Sequence, residues 1–168
     1  MKTLWNPWRE QHVLDHGKKY DFCIFEPPTT ASYSKKHLLL YQDRNVVVLL
    51  NRFPYANGHL LVAPPRHIAD ISELLPAENT AIMAMLQQSA DILRQHLHCD
   101  GLNIGCNLGK TAGAGIAGHL HFHVVPRWEG DHNFITVVGE VRTIPIHIER
   151  TFDQLVPDFQ QFHHRQNR

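Results

Sequence analysis

Cysteine is scarce: Cys23, Cys99 and Cys106 are the only three in 168 residues. Odd in number and widely spaced, they exclude a disulfide framework and point to a reducing compartment. Long apolar runs are also missing, and no stretch approaches the length a membrane span needs. The opening MKTLWNPWREQHVLDHG has no apolar core of the kind a signal peptide carries. A cytoplasmic location with no membrane partner is the expectation. Charge of one sign is absent as well, since Lys plus Arg and Asp plus Glu balance at 16 each. Without a basic stripe a nucleic-acid surface is not expected, and any phosphate binding must come from a local site. No internal repeat or low-complexity linker divides the chain. One domain over residues 1–168 is expected, beginning with an arm (1–20) packed by Trp5 and Trp8.

Histidine, by contrast, is abundant, with 14 copies. Three of them stand in GHLHFHVVPRW (118–128), where His119, His121 and His123 alternate with Leu120, Phe122 and Val124. On a strand, residues i, i+2 and i+4 share a face, so the three imidazoles project together while the apolar set faces the core. A solvated polar face is the plain alternative, but three successive outward positions all being histidine argue against it. A metal site is another reading, since imidazole is a common zinc ligand. The outer pair lies about 13 Å apart at roughly 3.3 Å per residue, so at most two could share one ion unless the strand bends. The third reading is nucleophilic catalysis. Histidine titrates near neutral pH, attacks phosphorus and can leave again, as two-step nucleotidyl transfer requires. Just upstream, NLGKTAGAGIAG (107–118) is rich in glycine, and Gly113 and Gly115 would let backbone N–H groups approach phosphate oxygens.

The surrounding pattern predicts an α+β fold. Strands are expected over 38–41 and 46–50, joined by a turn at 42–45, and over 59–64 after the long turn NRFPYANG. Between Pro76 and His98, Ile82, Leu86, Ala90, Leu93 and Leu97 recur at helical spacing, and Asp100-Gly101 closes the helix. Strands follow at 102–108 and 119–125. An extended hairpin is expected over 133–142, a short helix over 145–155, and a frayed tail over 156–168. The layout is an antiparallel sheet of about five strands with one main crossover helix and a short C-terminal helix.

The segment HLHFHVV resembles the His-φ-His-φ-His-φ-φ signature of the histidine triad (HIT) family. VLLNRFPYANGHLLVAPPRHI (48–68) is similar to that family's upstream hairpin, and NLGKTAGAGIAG stands in the place of its phosphate loop. LWNPWR and VVPRWEGDHNF resemble a bacterial branch related to diadenosine tetraphosphate phosphorylases and hydrolases. The resemblance covers most of the chain. It implies that His121 is the nucleophile, attacking an α-phosphorus to give a nucleotidyl-histidine. His119 and His123 would orient it and bind phosphate, with His59 completing the cluster. Asn51 stands where the family holds ribose hydroxyls and Asn107 where an amide meets the phosphate or leaving group. Leu61 and Phe53 are candidates for the base pocket, with ordinary packing as their alternative. The implied activity is cleavage of dinucleoside polyphosphates by hydrolysis or phosphorolysis, in a homodimer and with no cofactor needed for the histidine chemistry. Phosphoramidase activity, a non-catalytic nucleotide-binding module and a plain metal-binding protein are the rivals.

Two departures stand out. Many HIT proteins carry Gly-Gln-Ser/Thr before the triad, whereas this chain has Ala-Gly-Ala-Gly-Ile, so backbone donors replace an amide and a hydroxyl. The family's zinc-bearing branch carries Cys-x-x-Cys, and here the matching run is Cys23-Ile-Phe-Glu26. Glu can ligate zinc, so a closed structural site of Cys23, Glu26, His67 and His119 is one reading. A lost site with Cys23 merely buried is the other. Cys99 and Cys106 are read as small hydrophobes. His12, His16, His37, His96, His98, His132, His147, His163 and His164 fit no motif and are expected at the surface.

Overall fold

The computed structural model describes residues 23–131 and 144–166, with side chains as far as residue 162. The expected arm at 1–20 and hairpin at 133–142 lie outside the described residues. Five strands form one antiparallel sheet: β1 (Leu39–Gln42), β2 (Val47–Leu50), β3 (Leu60–Ala63), β4 (Gly101–Cys106) and β5 (Phe122–Arg127). Their spatial order is β1-β2-β3-β5-β4. Among the described residues two α-helices pack with the sheet, α1 (Pro76–Leu97) and α2 (Ile148–Gln166). The α+β class and the single crossover helix are as the pattern predicts.

Strands β2 and β3 are apolar at every position because both sheet faces are covered. Leu40, Val48, Leu50, Leu60, Val62 and Val124 meet the helices, where α1 packs on β3 and β5, and α2 on β1 and α1. Leu39, Val47, Leu49, Leu61 and Ala63 face the other way and are sealed by Phe25. Helix α1 begins where Pro76 fixes φ at its first position and Glu78 accepts the Leu75 N–H. It stops at His98, which turns left-handed at φ 48°.

Two elements differ from the sequence reading by three residues or more at an end. The histidine strand starts at Phe122 rather than 119, because the Leu120 N–H leaves the ladder for the Ile68 carbonyl at 2.6 Å. The C-terminal helix starts at Ile148 and runs past Leu155 to Gln166, so most of the expected tail is helical. Phe159 explains the extension: it is fully buried against the sheet and carries the apolar face onward.

Candidate active site and metal centre

The site is built where β3 and β5 run side by side on the face opposite the helices. Leu61 pairs with His123 across the two strands, and Gly105 of β4 pairs with His123 from the other side. His119 and His121 lie just ahead of β5, and both are buried. Phe25 lies between them, its ring centroid 4.8 Å from that of His119 and 5.0 Å from that of His121.

A main-chain group sets the proton of each of three rings. The His121 Nδ1 lies 2.8 Å from the His119 carbonyl, which can only accept, so Nδ1 carries the hydrogen. Its Nε2 therefore keeps the lone pair. The His119 Nε2 donates to the Pro64 carbonyl at 2.8 Å, which leaves Nδ1 unprotonated. At His59 the logic is reversed. Its Nδ1 accepts the Tyr55 backbone N–H at 3.1 Å, so the hydrogen sits on Nε2. From there it donates to His123 Nδ1 at 2.9 Å, and the neutral His123 ring must carry its own hydrogen on Nε2. Burial favours the neutral rings of His59, His119 and His123. It pulls His59 down to about 3, helped by the neighbouring His123 and His121. Burial also lowers His119, against the bond to Pro64, and lowers His123, where His121 adds to the effect.

Asn51 is oriented by the same loop. Its Oδ1 accepts the Phe53 N–H at 3.0 Å, and its Nδ2 lies 3.2 Å from His59 Nδ1. One amide hydrogen and one carbonyl lone pair remain for another partner. Asn107 reaches across the glycine-rich loop, its Nδ2 donating to the Gly113 carbonyl at 3.5 Å. Gly113 sits at φ +91°, which requires glycine. Gly115 has open space where a Cβ would point, so chain packing alone does not demand it. A cavity of about 880 Å³ adjoins the cluster at His123, lined further by Tyr55, Asn107, Gly105, Arg127 and Trp128. Of the base-pocket candidates, Leu61 is core, whereas Phe53 is 47% exposed.

The four predicted metal ligands converge. Ligand atoms of Cys23, Glu26, His67 and His119 all lie within 4.8 Å of one another. The Cys23 Sγ is 3.2 Å and the Glu26 Oε1 3.6 Å from His119 Nδ1, and the His67 Nδ1 is 2.6 Å from Glu26 Oε1. Ligands around tetrahedral zinc stand about 3.3–3.8 Å apart, as bonds of about 2.0–2.3 Å dictate. The donor chemistry fits: His119 turns its unprotonated Nδ1 into the cluster, and its other nitrogen is held by a carbonyl, as metal-bound histidines are. Burial pushes the Cys23 thiol up, and the Glu26 carboxylate adds to this against backbone N–H bonds from Phe25 and Glu26. A bound cation would reverse that direction.

All eleven predicted site residues thus fall into two adjoining groups and a loop, with His119 shared between the groups. Its ring faces the metal group and Pro64, so its service to His121 is rendered by its carbonyl. Sequence reasoning missed Phe25, the Tyr55 ring and the Pro64 carbonyl. Main-chain acceptors have no residue signature. Phe25 gave a weak one, as an aromatic between two candidate ligands.

The sequence profile of the HIT domain family matches residues 33–130, and the chain belongs to that family. An AP-4-A phosphorylase of Mycobacterium tuberculosis is 34% identical over 156 residues, covering 86% of this chain and 77% of that protein. A bis(5'-adenosyl)-triphosphatase of Dictyostelium discoideum is 31% identical over 83 residues, covering 49% of this chain and 55% of that one. Among solved structures, a zinc-bound histidine triad family protein from Mycobacterium smegmatis superposes with a TM-score of 0.61 at 32% identity. That alignment covers 76% of this chain and 86% of the other.

Proposed function

We propose that the protein cleaves dinucleoside polyphosphates of the diadenosine tetraphosphate kind through a nucleotidyl-histidine on His121. The observation that carries the reading is the His121–His119 bond. It commits the Nδ1 hydrogen and leaves the Nε2 lone pair as a nucleophile. Nε2 forms the bond to the α-phosphorus as the bond from phosphorus to the bridging oxygen breaks. The nucleoside polyphosphate departs with that electron pair, and His123 Nε2–H donates a hydrogen bond to its oxygen. The Asn107 amide and the loop around Gly113 and Gly115 bind the non-bridging oxygens, and Asn51 holds the ribose. Water or inorganic phosphate then attacks the same phosphorus and releases His121 Nε2. Phosphorolysis is favoured by the likeness to the mycobacterial enzyme, named a phosphorylase.

A structural zinc ion at Cys23, Glu26, His67 and His119 belongs to the same proposal, supported by the converging donors. It would cross-link three segments and fix the His119 ring, with no part in phosphoryl chemistry. We also propose a homodimer formed along the outer edge of β4, where Asn103, Ile104 and Gly105 are exposed. The three thiols are free, which supports a cytoplasmic setting. Among the described residues no helix is long and apolar enough to cross a membrane.

Product analysis with diadenosine tetraphosphate tests the reading, with and without inorganic phosphate. ADP plus ATP formed only with phosphate marks a phosphorylase, and AMP plus ATP formed in water a hydrolase. His121→Ala is expected to lose at least about a thousandfold in turnover while nucleotide affinity changes little. Full activity in that variant would remove His121 as nucleophile. Inactivity of the wild type toward this substrate, with cleavage of a nucleoside phosphoramidate, would redirect the same chemistry to the other leaving group.

A further inference from the structure

The Tyr55 ring, in the connection between β2 and β3, makes two contacts that none of the roles above uses. It tilts over His59, with centroids 4.6 Å apart, and stacks on His123 at 5.7 Å with 23° between the planes. Those two rings are the pair joined through Nε2 and Nδ1 at 2.9 Å. The residue is nevertheless 48% exposed and lines the cavity that adjoins His123. A half-exposed phenol adds little to a core. Here its covered side lies on two imidazoles and its open side faces the cavity. Water reaching the bond between the imidazoles would compete for both nitrogens and let their hydrogens redistribute; a dry cover strengthens the bond and keeps one arrangement.

We propose that Tyr55 is a positioning residue: its ring shields the His59–His123 hydrogen bond from water and so holds His123 with Nε2–H toward the cavity. This rests on the reading of His123 as the donor to the departing oxygen. The Tyr55 backbone N–H already orients His59 from the other side, and a side-chain change leaves that contact in place. The titratable groups facing His123 are His121 from its own segment, and His59 and Tyr55 from the connection ahead of β3. Opposite it, β4 contributes Gly105, with Cys106 and Asn107 beyond along the cavity. Farther along that wall stand His96, Arg127, Glu129 and Asp131, of which Arg127 and Asp131 are paired at 2.6 Å. Water admitted by loss of the ring would let the His123 pKa rise toward its ordinary value, opposing the burial that now lowers it. A protonated His123 cannot accept from His59, so the acid limb of the pH profile reports the event.

The test compares kcat/KM for diadenosine tetraphosphate across the acid range in wild type, Tyr55→Phe and Tyr55→Ala. The ring-proton NMR titration of His123 is recorded in parallel. Tyr55→Phe is expected to keep the wild-type limb. Tyr55→Ala is expected to move it upward by half a unit or more, about a threefold loss on the limb beyond any uniform change. An unmoved limb in Tyr55→Ala overturns the proposal however far activity falls, since partial unfolding lowers the active fraction without shifting it. If the wild type does not turn over this substrate, the proposed function has failed, and the NMR midpoints still decide. A rise in Tyr55→Ala but not in Tyr55→Phe supports the shield, and equal midpoints overturn it. Should Tyr55→Ala not fold, Tyr55→Val is read in the same way.

Discussion

A neutral imidazole carries one hydrogen on either of two nitrogens, and that choice separates a nucleophile from a donor. His121 and His123 make opposite choices two positions apart, because one meets a carbonyl and the other the N–H of a neutral neighbour. The cost of this order is borne at acid pH. Folded His59 titrates at about 3, below its ordinary value of about 6.5, so between those values the unfolded chain binds a proton that the native chain does not. His59 stability is therefore complete above about pH 6.5 and is lost as pH falls toward the folded value, at up to about 1.4 kcal/mol per unit. His119 and His123 are displaced in the same direction and add to the slope. Urea unfolding at several pH values should show wild type losing stability faster than His59→Asn below pH 6.5. Parallel slopes would mean that His59 is not the buried neutral ring described.

At the scale of elements, the connection between β2 and β3 carries Asn51, Tyr55 and His59 within nine residues, and its geometry depends on Gly58. Gly58 sits at φ +77°, and a Cβ there would lie 2.3 Å from Leu97 Cδ1 and 3.2 Å from Leu93 Cδ2. The loop thus meets the C-terminal turns of α1 at this point. Gly58→Ala is expected to cost about 1–3 kcal/mol, read as a lower urea midpoint with an unchanged m-value. A midpoint within error of the wild type would mean that Leu97 swings aside and the backbone absorbs the strain. The amphipathic period of α1 and the apolar runs of β2 and β3 made these elements legible in the sequence. The start of β5 was not legible there, because period-two alternation continues through His119 and His121 whether or not the ladder does. What removes them is a bond from Leu120 to Ile68, some fifty residues away in the chain, and periodicity carries no trace of it. Helix α2 runs through Pro157 and past its expected end at Leu155, because Phe159 has core to fill beyond it.

For the whole molecule, the four converging donor side chains bring the segment at 23–26, the loop after β3 and the approach to β5 to a single point. The four donors were legible through the resemblance to the family's zinc-bearing branch, which carries Cys-x-x-Cys where this chain has Cys23-Ile-Phe-Glu26. Their convergence around His119 was not, since it depends on the sheet bringing β3 and β5 together. Purified protein is expected to hold about one zinc per chain. Chelation or Cys23→Ala should lower the Tm by several degrees, as loss of a structural cross-link does. Metal-free protein with an unchanged Tm after either treatment would leave Cys23 as an ordinary buried thiol.

The carbonyls of Pro64 and His119 and the amide of Tyr55 bear on how such a site can drift. A side-chain acceptor can be deleted by one codon change, but a main-chain carbonyl is supplied by every residue type, and a main-chain amide by every one except proline. Neighbours of the four histidines are thus free to vary in identity while the location of each proton is inherited with the path of the backbone. Substitutions that redirect that path, at glycines and prolines of the flanking loops, are the ones able to rewrite the chemistry.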